Sequence, residues 1–133
     1  MANESNYSAT ITEASRELSA RERVMFKDTQ NAISMNDFAE SAKSEGGKAI
    51  ITGVKDFVIV GVHNDNSDDK DYDNYIIIDK EGEKYVTGSA SFWNAFKAIW
   101  DEMKDEPEEW SIQLNLIPSR NYQGRNVLTC SLI

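Results

Sequence analysis

The stretch DKEGEKYVTGSASFWNAFKAIW, Asp79 to Trp100, decides how the chain folds. Asp79 ends a strand, Glu81-Gly82 is a turn signal, and Lys84 to Thr87 returns as a short partner strand. Thr87-Gly88-Ser89 then breaks the extended run. From about Ser91 to Lys104 the pattern becomes helical: Phe92, Phe96, Ile99, Trp100 and Met103 recur at intervals of three and four, and Trp93 widens the stripe. Ser89 or Ser91 is placed to cap the first turn, and Pro107 lies beyond the end.

The segments on either side are β-rich. KAIITGVKDFVIVGVHN, Lys48 to Asn64, is dense in β-branched and aromatic residues, with Gly53 and Gly61 marking bends or bulges. Asn64 to Asp73 reads as a solvated loop and Asn74 to Asp79 as a strand. Downstream, Glu109 to Ile117 and Asn126 to Ile133 form two strands joined by PSRNYQGR, a loop marked by Pro118 and Gly124. The count is about five strands, with a helix between the third and the fourth. That is the order of an OB-like five-stranded Greek-key barrel, a scaffold whose face and loops bind oligonucleotides or oligosaccharides. Other small barrels and α+β sheets share it. Ahead of this part, residues 1–10 are polar and expected to be disordered. Thr12 to Lys27 has helix-forming composition with a weak apolar stripe (Ala14, Leu18, Arg21, Met25), and Ser34 opens a short helix ended by Gly46-Gly47. The expected division is an N-terminal arm over 1–45 and an OB-like β-barrel domain over 46–133, mainly β with helices.

The 133 residues suffice for one core. A lone cysteine, Cys130, excludes an internal disulfide framework and fits a reducing cytoplasm; its apolar strand predicts a buried thiol. No run approaches the ~18 apolar residues of a membrane span, and the N-terminus has no secretory pattern. The expected location is the cytoplasm. A net charge of −9 argues against generic affinity for a polyanion. The charge is uneven, however. Residues 65–83 hold eight acids against two lysines and residues 101–109 six against one, whereas Ser111 to Ile133 carries no acid, only Arg120 and Arg125.

Catalytic patterns are missing. The single histidine, His63, precedes an acidic loop, and the single cysteine lies near the last residue, so a nucleophile–base pair is unsupported. Asp65, Asp68, Asp69, Asp71 and Asp73 invite a calcium reading, but Lys70 interrupts and the central glycine and terminal glutamate of an EF-hand loop are missing. No cofactor or metal is expected. Thr87-Gly88-Ser89 precedes a helix N-terminus without the phosphate-loop lysine, which leaves turn chemistry as the reading. The helix aromatics read as core. Tyr75, Tyr85 and Tyr122, beside Lys84, Arg120 and Arg125, form the mixture of stacking faces and cations that holds single-stranded nucleic acid. Ordinary sheet tyrosines with polar tips give the same pattern.

The run from Ile51 to Ile133 resembles small single-stranded-DNA-binding proteins of bacteriophages, particularly those infecting Gram-positive bacteria. The carrying pieces are HNDNSDDKDYDNYIIID, EGEKYVTGSASFWNAF and PSRNYQGRNVLTCSLI. The resemblance implies an OB fold that coats the single strand during phage replication or recombination in the host cytoplasm. It implies a groove lined by Lys84 and Tyr85 after the glycine turn and by Arg120, Tyr122 and Arg125 in the last hairpin. Many such proteins end in an acidic tail that recruits partners; this chain ends in Leu132 and Ile133, and its acids lie inside.

The resulting expectation is a non-enzymatic binding module for single-stranded DNA. Tyr75, Tyr85 and Tyr122 would stack bases, Lys55, Lys84, Arg120 and Arg125 would neutralise phosphates, and the acidic loops 65–73 and 101–109 would meet replication or recombination proteins. The helix would plug one end of the barrel. No membrane partner is expected, and a homo-oligomer stays open. The rival reading is an acidic phage protein that inhibits a host enzyme or defence system.

Overall fold

The structure, a computed structural model, describes residues 7–66, 70–120 and 124–133. In chain order the elements are β1 (Tyr7–Ala14), α1 (Ala20–Lys27), β2 (Ile33–Ser34), α2 (Met35–Ser44), β3 (Ala49–Ile51), β4 (Val54–Asn64), β5 (Asp71–Asp79), β6 (Lys84–Thr87), α3 (Ala90–Met103), β7 (Ile112–Pro118) and β8 (Asn126–Leu132). The fold is mixed α+β. One sheet has the order β1-β4-β5-β6-β2, the other β3-β7-β8, and the described strands do not close into a barrel.

Gly53 joins the two sheets. Its φ of 72° lies in the left-handed region that glycine adopts without penalty. At this point the chain leaves β3, which pairs antiparallel with β7, and enters β4, which pairs antiparallel with both β1 and β5. Two main-chain hydrogen bonds fix the corner: Lys80 N donates to Gly53 O (2.7 Å) and Val54 N to Trp110 O (2.9 Å).

Alternation along β4, β5 and β6 gives the larger sheet two buried faces. Phe57, Ile77 and Tyr85 point to one side, where they meet Phe92 and Phe96 of α3, Met35 and Ala39 of α2, and Ile112, Leu114 and Leu128 of the smaller sheet. Phe92, Phe96 and Met35 are fully buried, and each such side chain contributes roughly 1.5–3 kcal/mol. Phe57 anchors this core edge-on, its ring centroid 5.1 Å from Trp93, 6.0 Å from Phe96 and 5.0 Å from Trp100. On the opposite side Val58, Val60, Val62, Ile76 and Ile78 form a second core, extended by Ala9, Ile11 and Ala14 of β1 in the same sheet and covered by Leu18 and Phe26.

Three helix starts follow the chemistry of their sequences. Ser34 and Ser89 accept hydrogen bonds from the backbone N–H of Asp37 and Phe92. Ser19 and Glu22 form a reciprocal capping box on α1. Glu81-Gly82 turns as expected, with Gly82 at φ 87° and the Asp79 carboxylate accepting from Glu81 N and Glu83 N at 2.9 Å each.

The N-terminal part departs from the expectation. Tyr7–Ala14 is a strand on β4 and not disordered or helical chain, and helix is confined to Ala20–Lys27. The alternation of Tyr7, Ala9 and Ile11 places Ala9 and Ile11 on the second core, and that burial outweighs the helix-forming composition that follows. With β2 parallel on β6 and Met35 fully buried, residues 7–44 share the sheet and core of the rest.

Candidate nucleic-acid interface

On an OB-type sheet the face of the second and third strands receives the oligonucleotide. In the OB-like order expected from the sequence these strands would be β5 and β6, and the face of this pair turned away from α3 is occupied by the chain itself. Ile76, Ile78 and Val86 on it belong to the second core, beneath Leu18 and Phe26. Lys84 holds this cover in place. Its ammonium donates to Met25 O at 2.6 Å and to Asp28 O, carbonyls at the C-terminal end of α1 where a cation is favoured. Lys84 is thus engaged with α1.

Tyr85 points the other way. Neighbouring residues of a strand project to opposite faces, so Lys84 and Tyr85 cannot line one groove from a single strand. Tyr85 is 8% exposed, lies against Phe38 with ring centroids 6.1 Å apart, and donates its phenol O–H to Asp79 Oδ2 at 3.2 Å. Burial, followed by the nearby Asp79 charge, pushes its pKa up to about 12. A base-stacking role for Tyr85 does not fit this position. Tyr75 is half-buried, and one face of its ring is taken by Trp93, stacked at 5.2 Å and 6°. Burial, and then the Asp73 carboxylate, raises its phenol pKa.

The remaining cations lie at two ends of α3. Arg120 and Arg125 are exposed at the β7–β8 hairpin, where Ser119 N donates to Arg125 O at 2.8 Å; Tyr122 lies outside the described residues. This hairpin is tied to the start of α3 through Ser89 Oγ, which donates to Leu128 O at 3.2 Å. Lys55 is exposed at the opposite end. It lines a cleft of about 340 Å³ with Lys80 and Lys104, walled by Trp100 and Trp110 and rimmed by Glu106 to Glu109. Within it Lys80 pairs with Glu109 at 2.9 Å. The helix of 14 residues separates the two ends by roughly 20 Å at 1.5 Å per residue.

Sequence reasoning missed two polar clusters. Asp56, 6% exposed, accepts from Ser15 Oγ at 2.9 Å and from Arg16 Nε at 3.2 Å, and Arg16 continues to Glu22 at 2.6 Å. The Arg16 hydrogen bond, then the Ser19 N–H, holds the Glu22 carboxyl down at about 2. An acid inside the apolar run VKDFVIV was the available signal. The second cluster is His63, with Nδ1 2.7 Å from Asp71 Oδ1 and Nε2 2.9 Å from Asp65 Oδ1. The Asp71 hydrogen bond first, and the Asp65 charge after it, raises the imidazole pKa. His63 thus bridges Asp65 and Asp71, one on either side of the acidic loop; Asp68 and Asp69 lie outside the described residues.

No helix among the described residues is long and apolar enough to cross a membrane. No protein-family model, curated protein or solved structure matches the chain.

Proposed function

We propose that the chain is a non-enzymatic OB-like module that binds single-stranded DNA in phage replication or recombination. The observation that carries this reading is the strand broken at Gly53 and shared between both sheets, followed by β5, β6, α3 and the β7–β8 hairpin. In this reading β3 with β4 is the first strand of a partly open Greek-key barrel, β5 and β6 are the second and third, and β7 and β8 the last two. The sixth and seventh elements that such a barrel lacks, β1 and β2, extend its larger sheet at both edges.

The interface then shifts from the β6 strand to the hairpin. Loops between the last two strands serve binding in OB folds, and here that loop carries Arg120, Tyr122 and Arg125 in a segment free of acids. The arginines neutralise phosphates and Tyr122 offers a stacking face. Lys55, in a cleft rimmed by Glu106, Glu108 and Glu109, lies outside this contact. The acidic segments 65–73 and 101–109 keep the DNA at the hairpin by repulsion and present themselves to protein partners.

The test is a titration of a labelled 30-mer at low and moderate salt, with Arg120→Ala and Arg125→Ala each lowering both affinity and salt slope. The rival reading, an acidic factor that blocks a host protein, is favoured by the exposed Glu106, Glu108 and Glu109 and predicts no oligonucleotide binding at any salt.

A further inference from the structure

Sheet edges are places where chains pair, and most edges here are blunted. β2 is two residues long and β3 three. Along β8, α3 approaches closely enough for Ser89 to bond the Leu128 carbonyl. β1 differs. It is eight residues long, forms one edge of the five-stranded sheet, and pairs only with β4 among the described strands. Natural edges are commonly blunted by Lys, Pro, a bulge or a covering element, yet Tyr7 to Thr12 holds neither a charge nor a proline in a chain with 28% charged residues. The register shift between Ile11 and Glu13 ends the regular edge just before its one acid.

We propose that β1 pairs antiparallel with β1 of a second copy of this chain, across a two-fold axis at Ala9, so that two five-stranded sheets become one. The hydrogen-bond alternation supports this register. Ser15 N donates to Phe57 O, and counting back through the bulge directs Ser8 and Thr10 toward β4 and Tyr7, Ala9 and Ile11 outward. Pairing at Ala9 therefore sets Tyr7 opposite Ile11 of the second copy, Ala9 opposite Ala9, and Ile11 opposite Tyr7. The patch is self-complementary, as a two-fold interface requires, and aromatic–β-branched cross-strand pairs are favourable ones.

The same face explains side chains that the monomer leaves in water. Tyr7 is 56% exposed, and Val24 and Met25 of α1 are 67% and 54% exposed. Tyr7 and Val24 line one cavity with the polar Lys27, Asp28, Thr29 and Gln30, which places Tyr7 of the strand edge beside α1, while Ala9 and Ile11 of the same strand pack on the second core. The facing pairs Tyr7–Ile11 and Ala9–Ala9 carry no charge, and Glu13 lies outside them.

The proposal is independent of DNA binding and is tested by sedimentation of the full chain over a dilution series. The expected mass at high concentration is twice the 15.0 kDa of one chain, falling to one chain on dilution. Ala9→Pro removes an outward N–H and leaves the bonds to β4 intact; it is expected to sediment as a single chain at every concentration with an unchanged circular-dichroism spectrum. Should that variant fail to fold, Ala9→Cys in a Cys130→Ser background decides: mild oxidation is expected to join two copies, while Thr52→Cys in the same background stays unlinked. A single-chain mass throughout, a dimer that survives Ala9→Pro, or no cross-link from Ala9→Cys overturns the proposal.

Discussion

Replacing Tyr85 separates a structural tyrosine from a base-stacking one. The ring is buried against Phe38, and its hydroxyl bonds the Asp79 carboxylate that organises the β5–β6 turn. Tyr85→Phe removes one hydrogen bond to a charged acceptor. Such bonds contribute about 1.5–3 kcal/mol, and the 3.2 Å separation together with the two remaining N–H donors on Asp79 places the loss near the lower end. Tyr85→Ala removes the ring as well and costs about 3–5 kcal/mol, as large-to-small changes at buried aromatics do. Urea unfolding followed by tryptophan fluorescence reads both, with the slope unchanged and the midpoints displaced in that order. The pH dependence supplies an independent check. Because the folded pKa is raised to about 12 from an ordinary 10, the neutral phenol is the form the fold favours. The associated stability is complete below pH 10 and declines as pH rises toward 12. Phe keeps a stacking ring, so the distinction rests on the stability losses and not on the oligonucleotide affinity of Tyr85→Phe. A Tyr85→Ala protein that keeps its stability within about 0.5 kcal/mol, the range of an ordinary surface substitution, would refute the reasoning.

Four further outcomes follow from other positions. Gly53→Ala forces φ 72° on a residue with a Cβ and crowds Lys80 Cδ at 2.7 Å; a loss of about 1–2 kcal/mol in urea unfolding is expected, and a neutral result contradicts the corner. Lys84→Met should loosen α1 and raise amide exchange over Ala20–Lys27, leaving α3 protected; unchanged exchange contradicts the clamp. The His63 imidazole, followed by NMR, should titrate above its ordinary value, and Asp71→Asn should lower it. Protonated His63 contributes stability that is complete below the unfolded value and lost as pH rises through the folded one. Burial pushes the Cys130 thiol up to about 12, so a thiol reagent should label it only on unfolding; prompt labelling of native protein contradicts its position in the core.

Legibility in the sequence tracked local chemistry. Turns and caps at Gly82, Ser34 and Ser89, the α3 stripe and the strand at Lys84–Thr87 rest on spacing within a few residues, and the structure places them there. What depends on distant partners was hidden. β1 follows a polar start and is defined by the β4 edge it joins, and α1 is held by Lys84, 59 residues away from Met25. The candidate site suffered from the same limit. Lys84 and Tyr85 read as a ligand-facing pair because they are adjacent, whereas strand alternation sends one to α1 and the other into the core. Arg120 and Arg125 are exposed, as charged side chains beside a hairpin turn usually are.

The most direct measurement of the proposed function is anisotropy of a labelled 30-mer titrated with the full chain at two salt concentrations, with Arg120→Ala/Arg125→Ala in parallel. Saturable binding that weakens with salt, and weakens further with a shallower salt slope in the double variant, is the expected result. Absence of binding at low salt, or a double variant that binds like the wild type, contradicts a single-stranded-DNA interface at the β7–β8 hairpin.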